Sequence, residues 1–423
     1  MPIEWRGDGR QLHLYNDRIS YLMRVLESGT LAHLYFGPRL ATEHDYGHFL
    51  RDSRISRFNQ VLDPTPLELP TAGSGDFRVP GLTVRHADGS TVLNLVYREH
   101  EIVAGKPPID GLPSTYVESE AEAETVEICL VDGNSSMRVR LQMTVYADRP
   151  VITRSMRVIN EGSGDVKLTT AMSAVLDLPD ADWHLLQLTG AWARETQVVD
   201  APLVAGTRAI RSQRGSSGHQ QNPFILLRRP ATTEATGEAI GMSLVYSGNF
   251  LAEVEVDSTD TVRARIGMDP ETVRWQVSAG MDLQIPEAVL VWSDEGLGGV
   301  SDAYHRLYRE RLATGTWRDQ PRPVLLNSWE GVYFDFDEDV LVEMATAAAE
   351  LGVELFVLDD GWFGQRNADD SSLGDWTVDL RKLPSGLPAL VERVNELGLL
   401  FGIWIEPEMV NPRSRLFESH PEW

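Results

Sequence analysis

The stretch VELFVLDDGWFG, residues 353–364, decides the fold. Six residues rich in β-formers, VELFVL, break off into Asp359, Asp360, Gly361 and Trp362. A short apolar run bounded by turn residues reads as a strand buried on both faces. Just before it, DEDVLVEMATAAAELG (337–352) opens with acids and closes with glycine, the ends that capping and the helix dipole favour in a helix. Further on, GLPALVERVNELG (386–398) places Leu387, Leu390, Val391, Val394 and Leu397 at helical spacing. PVLLN (323–327) and LLFGIWI (399–405) are two more short apolar strands. Strand, helix, strand, helix, strand, with no polar face on the strands, implies parallel pairing.

Upstream the character changes. Met137, Val139, Leu141, Met143 and Val145 alternate with Arg138, Arg140, Gln142, Thr144 and Tyr146, the period of a half-buried strand. Val126, Ile128 and Leu130 alternate in the same way before the turn DGNSS (132–136), and VITRSMRVIN (151–160) follows the turn DRP. Three strands joined by short turns form an antiparallel meander. Similar segments recur at 241–248, 251–266 and 287–293, and helical periodicity is scarce before about residue 300. A large antiparallel β-sandwich is expected there. DAYHRLYRERLA (302–313) then has helical spacing, with Tyr304, Leu307, Tyr308 and Leu312 on one face, and RDQPRP (318–323) reads as a linker.

A chain of 423 residues exceeds the size at which one core usually divides, in keeping with two domains. Its formal charge of −25 opposes binding to nucleic acid or to an anionic membrane through a general field. The single cysteine, Cys129, has no intramolecular partner and lies in an apolar strand, where a buried, inert thiol is expected. The first residues lack an apolar h-region, and no segment reaches membrane-spanning length. A reducing cytoplasm fits both features.

In parallel α/β folds, ligands bind beyond the carboxyl ends of the strands. The first strand leads into Trp329 and Glu330, the second into Asp359, Asp360 and Trp362, and the third holds Trp404 and leads into Glu406 and Glu408. Carboxylates accept hydroxyl protons, and indole faces stack on the C–H side of a sugar ring. A neutral polyhydroxylated ligand matches this set. Phosphate does not, because no glycine-rich loop or basic cluster accompanies it. DDG by itself is an ordinary turn sequence, Trp404 by itself could fill a core, and Asp with Glu also ligates Mg²⁺ or Ca²⁺. No histidine joins these carboxylates at ligand spacing, so no metal is expected; the weight rests on the coincidence at three successive strand ends.

The same residues carry a family resemblance. NSWEGVYFDFDED, LGVELFVLDDGWFGQRNADDSSLGDW, KLPSGL, VNELGLLFGIWIEPEMVNPRSRLFESHPEW, GSGDFRVP, GLPSTYVE and SSGHQQNPF resemble the microbial, melibiase-like α-galactosidases of glycoside hydrolase family 36. The likeness runs from near residue 12 to the last residue. It implies an N-terminal β-supersandwich followed by a (β/α)8 TIM barrel, which with the pattern above divides the chain into the supersandwich over 1–300, a helical linker over 301–322 and the first part of the barrel over 323–423. It also implies retaining hydrolysis of terminal non-reducing α-galactosyl residues of melibiose or raffinose type, by a homotetramer that uses no cofactor and no metal. By that resemblance Asp359 and Asp360 bind galactose hydroxyls, and Trp329 and Trp404 line the same pocket. Trp192, in GAWARE, is lent by the sandwich domain, and Asp52 and Arg57, in RDSRISRF, reach a neighbouring subunit's pocket.

A retaining glycosidase needs two carboxyl groups about 5–5.5 Å apart. The family's Lys-Trp-Asp-like nucleophile stretch and its later acid/base stretch do not occur in these residues, so no catalytic residue is assigned. Nucleophile and acid/base are both expected downstream of Trp423. Three barrel strands leave an open edge and an uncovered apolar face. The expectation is therefore the N-terminal part of a longer enzyme, inactive alone. Two other functions fit the same residues: a non-catalytic sugar-binding or assembly module, and a related α-N-acetylgalactosaminidase or α-galactosyl transglycosylase.

Overall fold

The structure, a computed structural model, describes residues 2–50 and 65–423. It divides into two compact units, residues 1–314 and 315–423.

The first unit is built on the meander. Ala123–Asp132, Met137–Tyr146 and Val151–Asn160 pair antiparallel in chain order. Leu130, Val139 and Val158 stand opposite one another in one buried row, and Ile128, Leu141 and Met156 in the next. These strands sit in a ten-stranded sheet with Glu287–Ser293, Ala239–Val245 and others. A six-stranded sheet includes Val166–Leu178 and Val262–Met268, and a four-stranded sheet occupies Ile3–Arg6 through Leu31–Pro38. Residues from all three, among them Leu14, Leu141, Leu176, Ile266 and Leu290, share one core. The expected antiparallel sandwich is present. The segment 251–266 is two strands, Phe250–Val256 and Val262–Met268, paired antiparallel across a short turn. Cys129 is buried, and burial pushes its thiol up from the ordinary value.

Two arginines run through this core. Arg154 stands opposite Met143 on the buried face, where it pairs with Glu68 and donates to the Glu68 carbonyl at 2.6 Å. Tyr21 donates its hydroxyl to the same carboxylate at 2.8 Å. Arg263 holds Asp177 through two bonds of 2.7 Å and reaches Asp76, also at 2.7 Å. Asp177 further accepts the Leu67 amide at 3.1 Å. Asp76 also pairs with Arg78 at 3.0 Å. The loop 65–81 is thus pinned to both large sheets by buried ion pairs.

The helix Gly296–Arg311 overlaps the expected helical linker over 301–322 and lies in the first unit. Val300, Ala303, Tyr304 and Leu307 are buried against Val289 and Val291, and Tyr304 donates to the Val289 carbonyl at 2.9 Å. Its apolar stripe finds its partner within the first unit, so the helix is a packed element of that unit.

In the second unit Leu325–Asn327, Leu355–Leu358 and Leu400–Ile403 form a parallel sheet in chain order. Asp337 caps the helix Glu338–Glu350 by accepting the Val340 amide, and Gly386–Glu396 is the second helix. Both helices pack on one face, where Leu341, Ala345, Leu390 and Val394 enclose Phe356 and Leu358. Leu325 and Leu400, which flank Leu355 on the opposite face, are 50% and 48% exposed. This is the uncovered apolar face that three strands of a barrel would leave. No helix among the described residues is long and apolar enough to cross a membrane.

Candidate functional site

The strand register builds the site. Asn327, Val357 and Gly402 are Cα partners and share the face turned away from the helices. Asp359 lies two residues beyond Val357 and projects from that face. Its Oδ2 accepts from Asn327 Nδ2 at 2.5 Å, and its Oδ1 accepts the Asp360 amide at 2.7 Å. Its own amide donates to Ser328 Oγ at 3.1 Å. Asn327 Oδ1 in turn accepts the Trp329 amide at 2.7 Å, which starts the single helical turn Trp329–Val332. Asn327 thereby ties Asp359 to Trp329. The half-buried Trp329 indole meets Tyr333 and Phe334 edge-on, at 5.1 and 5.0 Å between ring centroids.

Trp404 is fixed from the other side. Its amide donates to the Leu358 carbonyl at 2.9 Å, and its own carbonyl accepts the Trp362 indole N–H at 3.0 Å. Its half-buried ring packs against Phe363 and Trp376, 6.4 and 6.2 Å away. Strand ends one and three therefore flank Asp359 with one indole each.

Asp360 lies past the strand, in the turn into Gly361, and takes different partners. Its carboxylate meets Arg366 side-on: Nε donates at 2.9 and 3.1 Å, and Nη2 at 2.7 Å. Only 7% of Asp360 and 5% of Arg366 is exposed. A third nitrogen, Nη1, donates to the Ser371 carbonyl at 2.9 Å, and the guanidinium lies 5.5 Å from the Phe334 ring. Lys382 closes the loop beneath. Its ammonium donates to the carbonyls of Phe334, Gly361 and Arg366 at 2.8, 3.0 and 3.1 Å, and burial holds its pKa below the ordinary lysine value. Burial, helped by Glu408 and Asp360 and opposed by Arg366, pushes the half-buried Glu406 carboxyl up.

The turn between the two aspartates and the loop depends on Gly361. Its φ is +100°, and a Cβ there would approach the Phe334 and Phe336 rings to 3.2 Å. Gly361→Ala is expected to cost about 1–3 kcal/mol in this loop. The check is the urea midpoint of the second unit, followed by tryptophan fluorescence. An unchanged midpoint would mean that the turn is not conformationally demanding.

Of the sequence-derived residues, Trp329, Asp359, Asp360 and Trp404 come together at one end of the parallel sheet. Trp362 does not join them as a surface: it is 4% exposed and belongs to the core beside Phe363. Its apolar body fills the space over the second strand, and its one polar atom is already bonded. Trp192 lies in the first unit, in the turn between His184–Ala191 and Arg194–Pro202, with its indole 85% exposed. Asp52 and Arg57 fall outside the described residues. Trp423, after which the nucleophile and the acid/base are expected, is exposed and stacks on His420 with 4.0 Å between ring centroids. The expectation that nucleophile and acid/base follow Trp423 is neither supported nor opposed by the geometry of these residues.

Sequence reasoning missed Asn327, Arg366, Lys382 and Trp376. Only Arg366 left a signal, since a doubled acid at a buried strand end calls for a nearby cation. Among the described residues no group of His, Cys, Asp and Glu could hold a metal ion.

Two family models cover nearly the whole chain: the glycosyl hydrolase family 36 N-terminal domain matches residues 29–278, and melibiase matches residues 282–423. α-Galactosidase AgaA of Geobacillus stearothermophilus is 48% identical over 430 residues, covering 100% of this chain and 59% of its own length. α-Galactosidase 1 of Pediococcus pentosaceus is 44% identical over 425 residues, covering 98% of this chain and 58% of its own. Among solved structures, the family 36 α-galactosidase AgaB of G. stearothermophilus superposes with a TM-score of 0.94 at 48% identity, covering 100% of this chain and 59% of that one. A variant of AgaA in complex with raffinose superposes with a TM-score of 0.93 at 48% identity, over 98% of this chain and 58% of that one. This chain thus spans about three-fifths of the length of these relatives.

Proposed function

The chain belongs to glycosyl hydrolase family 36, and from that membership we propose that the full-length protein is a retaining α-galactosidase. Its substrates are oligosaccharides that end in a non-reducing α-galactosyl group. The observation that carries this reading is the delivery of Trp329, the Asp359–Asp360 pair and Trp404 to one end of three hydrogen-bonded parallel strands. In it, Asp359 and Asp360 accept hydroxyl protons from galactose, and Trp329 and Trp404 offer faces to its C–H side. Relatives of 48% identity have been solved with raffinose and with stachyose, which supports this substrate class.

Neither aspartate is assigned as nucleophile or acid/base. Asp359 is engaged by Asn327 and a backbone amide, and Asp360 by Arg366. Both are built to hold a ligand, and the two carboxyl groups that retaining hydrolysis needs are separate residues, proposed to follow Trp423 in the full-length protein. Trp192, exposed on its hairpin, and Asp52 and Arg57 are proposed as further contributors to substrate binding, in a cytoplasmic homotetramer.

The test is turnover by the full-length protein. It is expected to release galactose from nitrophenyl α-galactoside and from raffinose, with the α-anomer appearing first in proton NMR. Trp192→Ala is expected to raise KM several-fold, the loss of one exposed aromatic face offered to the sugar. Cleavage of β-galactosides alone, or no glycoside cleavage at all, would remove the reading.

A further inference from the structure

The enclosed cation Arg366 has no counterpart in the proposed chemistry so far. It lies six residues after Asp360, and four of its contacts constrain it at once: the carboxylate, the Ser371 carbonyl, the Phe334 ring, and a main-chain carbonyl bonded to Lys382. Such a group is far more restrained than a surface ion pair requires. A guanidinium that grips a carboxylate side-on removes the freedom of that carboxylate to rotate, and a lysine could not replace the fork. Two of the Arg366 nitrogens make three contacts with Asp360, the Nε–H being shared between both oxygens, which leaves acceptor positions on the carboxylate for other donors. Asp359 is fixed by different partners, Asn327 and the chain itself, so the two neighbours are oriented independently.

We propose that Arg366 is a positioning residue that holds the Asp360 carboxylate in the one orientation from which it accepts galactose hydroxyls. The proposal rests on the α-galactosidase reading above and deepens it. Lys382 is the base of the device, because it joins Phe334, which follows the first strand, to Gly361 and Arg366, which follow the second. Arg366 touches no substrate in this scheme. Its influence reaches the ligand only through Asp360.

The experiment is a double-mutant cycle on kcat/KM of the full-length protein with nitrophenyl α-galactoside, using Arg366→Gln, Asp360→Asn and the pair. Arg366→Gln is expected to lower kcat/KM by about 10- to 100-fold, the range for a charge-assisted hydrogen bond. The double variant is expected to be no more than about threefold worse than Asp360→Asn alone, since a residue that acts through another has nothing left to do once the other is gone. Arg366→Lys, which keeps the charge and loses the fork, is expected to restore folding without restoring kcat/KM. Independent, multiplying effects in the double variant would overturn the proposal, and so would a fully active Arg366→Lys protein. Absence of α-galactoside turnover by the wild type would overturn the underlying reading and the proposal with it. Active wild type with an additive cycle overturns the positioning role alone.

Discussion

Asp360→Ala is expected to weaken galactose binding by the full-length protein at least a hundredfold, measured by calorimetric titration. Two terms add. Hydrogen bonds from hydroxyls to a carboxylate are worth roughly 1.5–3 kcal/mol each, and the proposed role gives Asp360 up to two of them. The substitution also strands Arg366, 5% exposed, without its counter-charge. Breaking a buried pair by removing one partner costs about 3–5 kcal/mol, so the second unit should unfold at markedly lower urea. The two terms separate in Asp360→Leu with Arg366→Met, where both charges go: stability should largely return while binding stays lost. A galactose affinity equal to wild type in Asp360→Ala would end the hydroxyl-binding role.

The second large effect lies in the first unit. Asp177→Ala is expected to destabilise it by about 3–5 kcal/mol, because it leaves Arg263 fully enclosed with half of its carboxylate partners. Denaturant unfolding of the first unit reads this directly, and a shift below about 1 kcal/mol would show that Asp76 alone neutralises the cation. The wild type carries a matching pH signature. Desolvation pushes the Asp177 carboxyl up, but the charge and hydrogen bonds of Arg263, with Arg78, outweigh it and hold the group below the ordinary range. Glu68 is held low in the same way, burial being outweighed by Arg154. A carboxyl whose folded pKa is depressed contributes stability above its unfolded value, near 4, and loses it as pH falls through the folded value. His13, buried in the same unit and held down to about 4 by burial, already removes stability as pH falls from about 6.5. The carboxyls should add a steeper loss below about 4, and in His13→Gln stability should stay nearly level from pH 7 to about 5; an undiminished decline between 7 and 5 in that variant would place the titrating group elsewhere.

These two predictions rest on interactions that left different marks on the chain. Periodicity located the elements: Met137–Tyr146 and its neighbours alternate, Glu338–Glu350 opens with acids, and Leu355–Leu358 breaks at Asp359. Such patterns are local, and a strand or helix that must bury one side announces it within ten residues. The same local logic placed Trp329, Asp359 and Trp404 at one end of the sheet, since parallel strands bring their carboxyl ends together whatever else the chain does. It misjudged Trp362, because an indole at a strand end looks alike in sequence whether it faces ligand or core. It did not show where the helix Gly296–Arg311 packs, because an apolar stripe does not name its partner.

By itself, then, the sequence determined the order and type of the elements, the antiparallel and parallel halves, and the strand ends at which a sugar site could form. Only the tertiary structure decided which charges meet. Arg154 with Glu68 and Arg263 with Asp177 are 86 residues apart in both cases, and Arg366 reaches Asp360 only because Gly361 and Lys382 fold the loop back. Hydrophobic patterning is additive along the chain and needs no partner to be legible. An ion pair is a relation between two positions in space, and its strength depends on a burial that the finished fold alone creates.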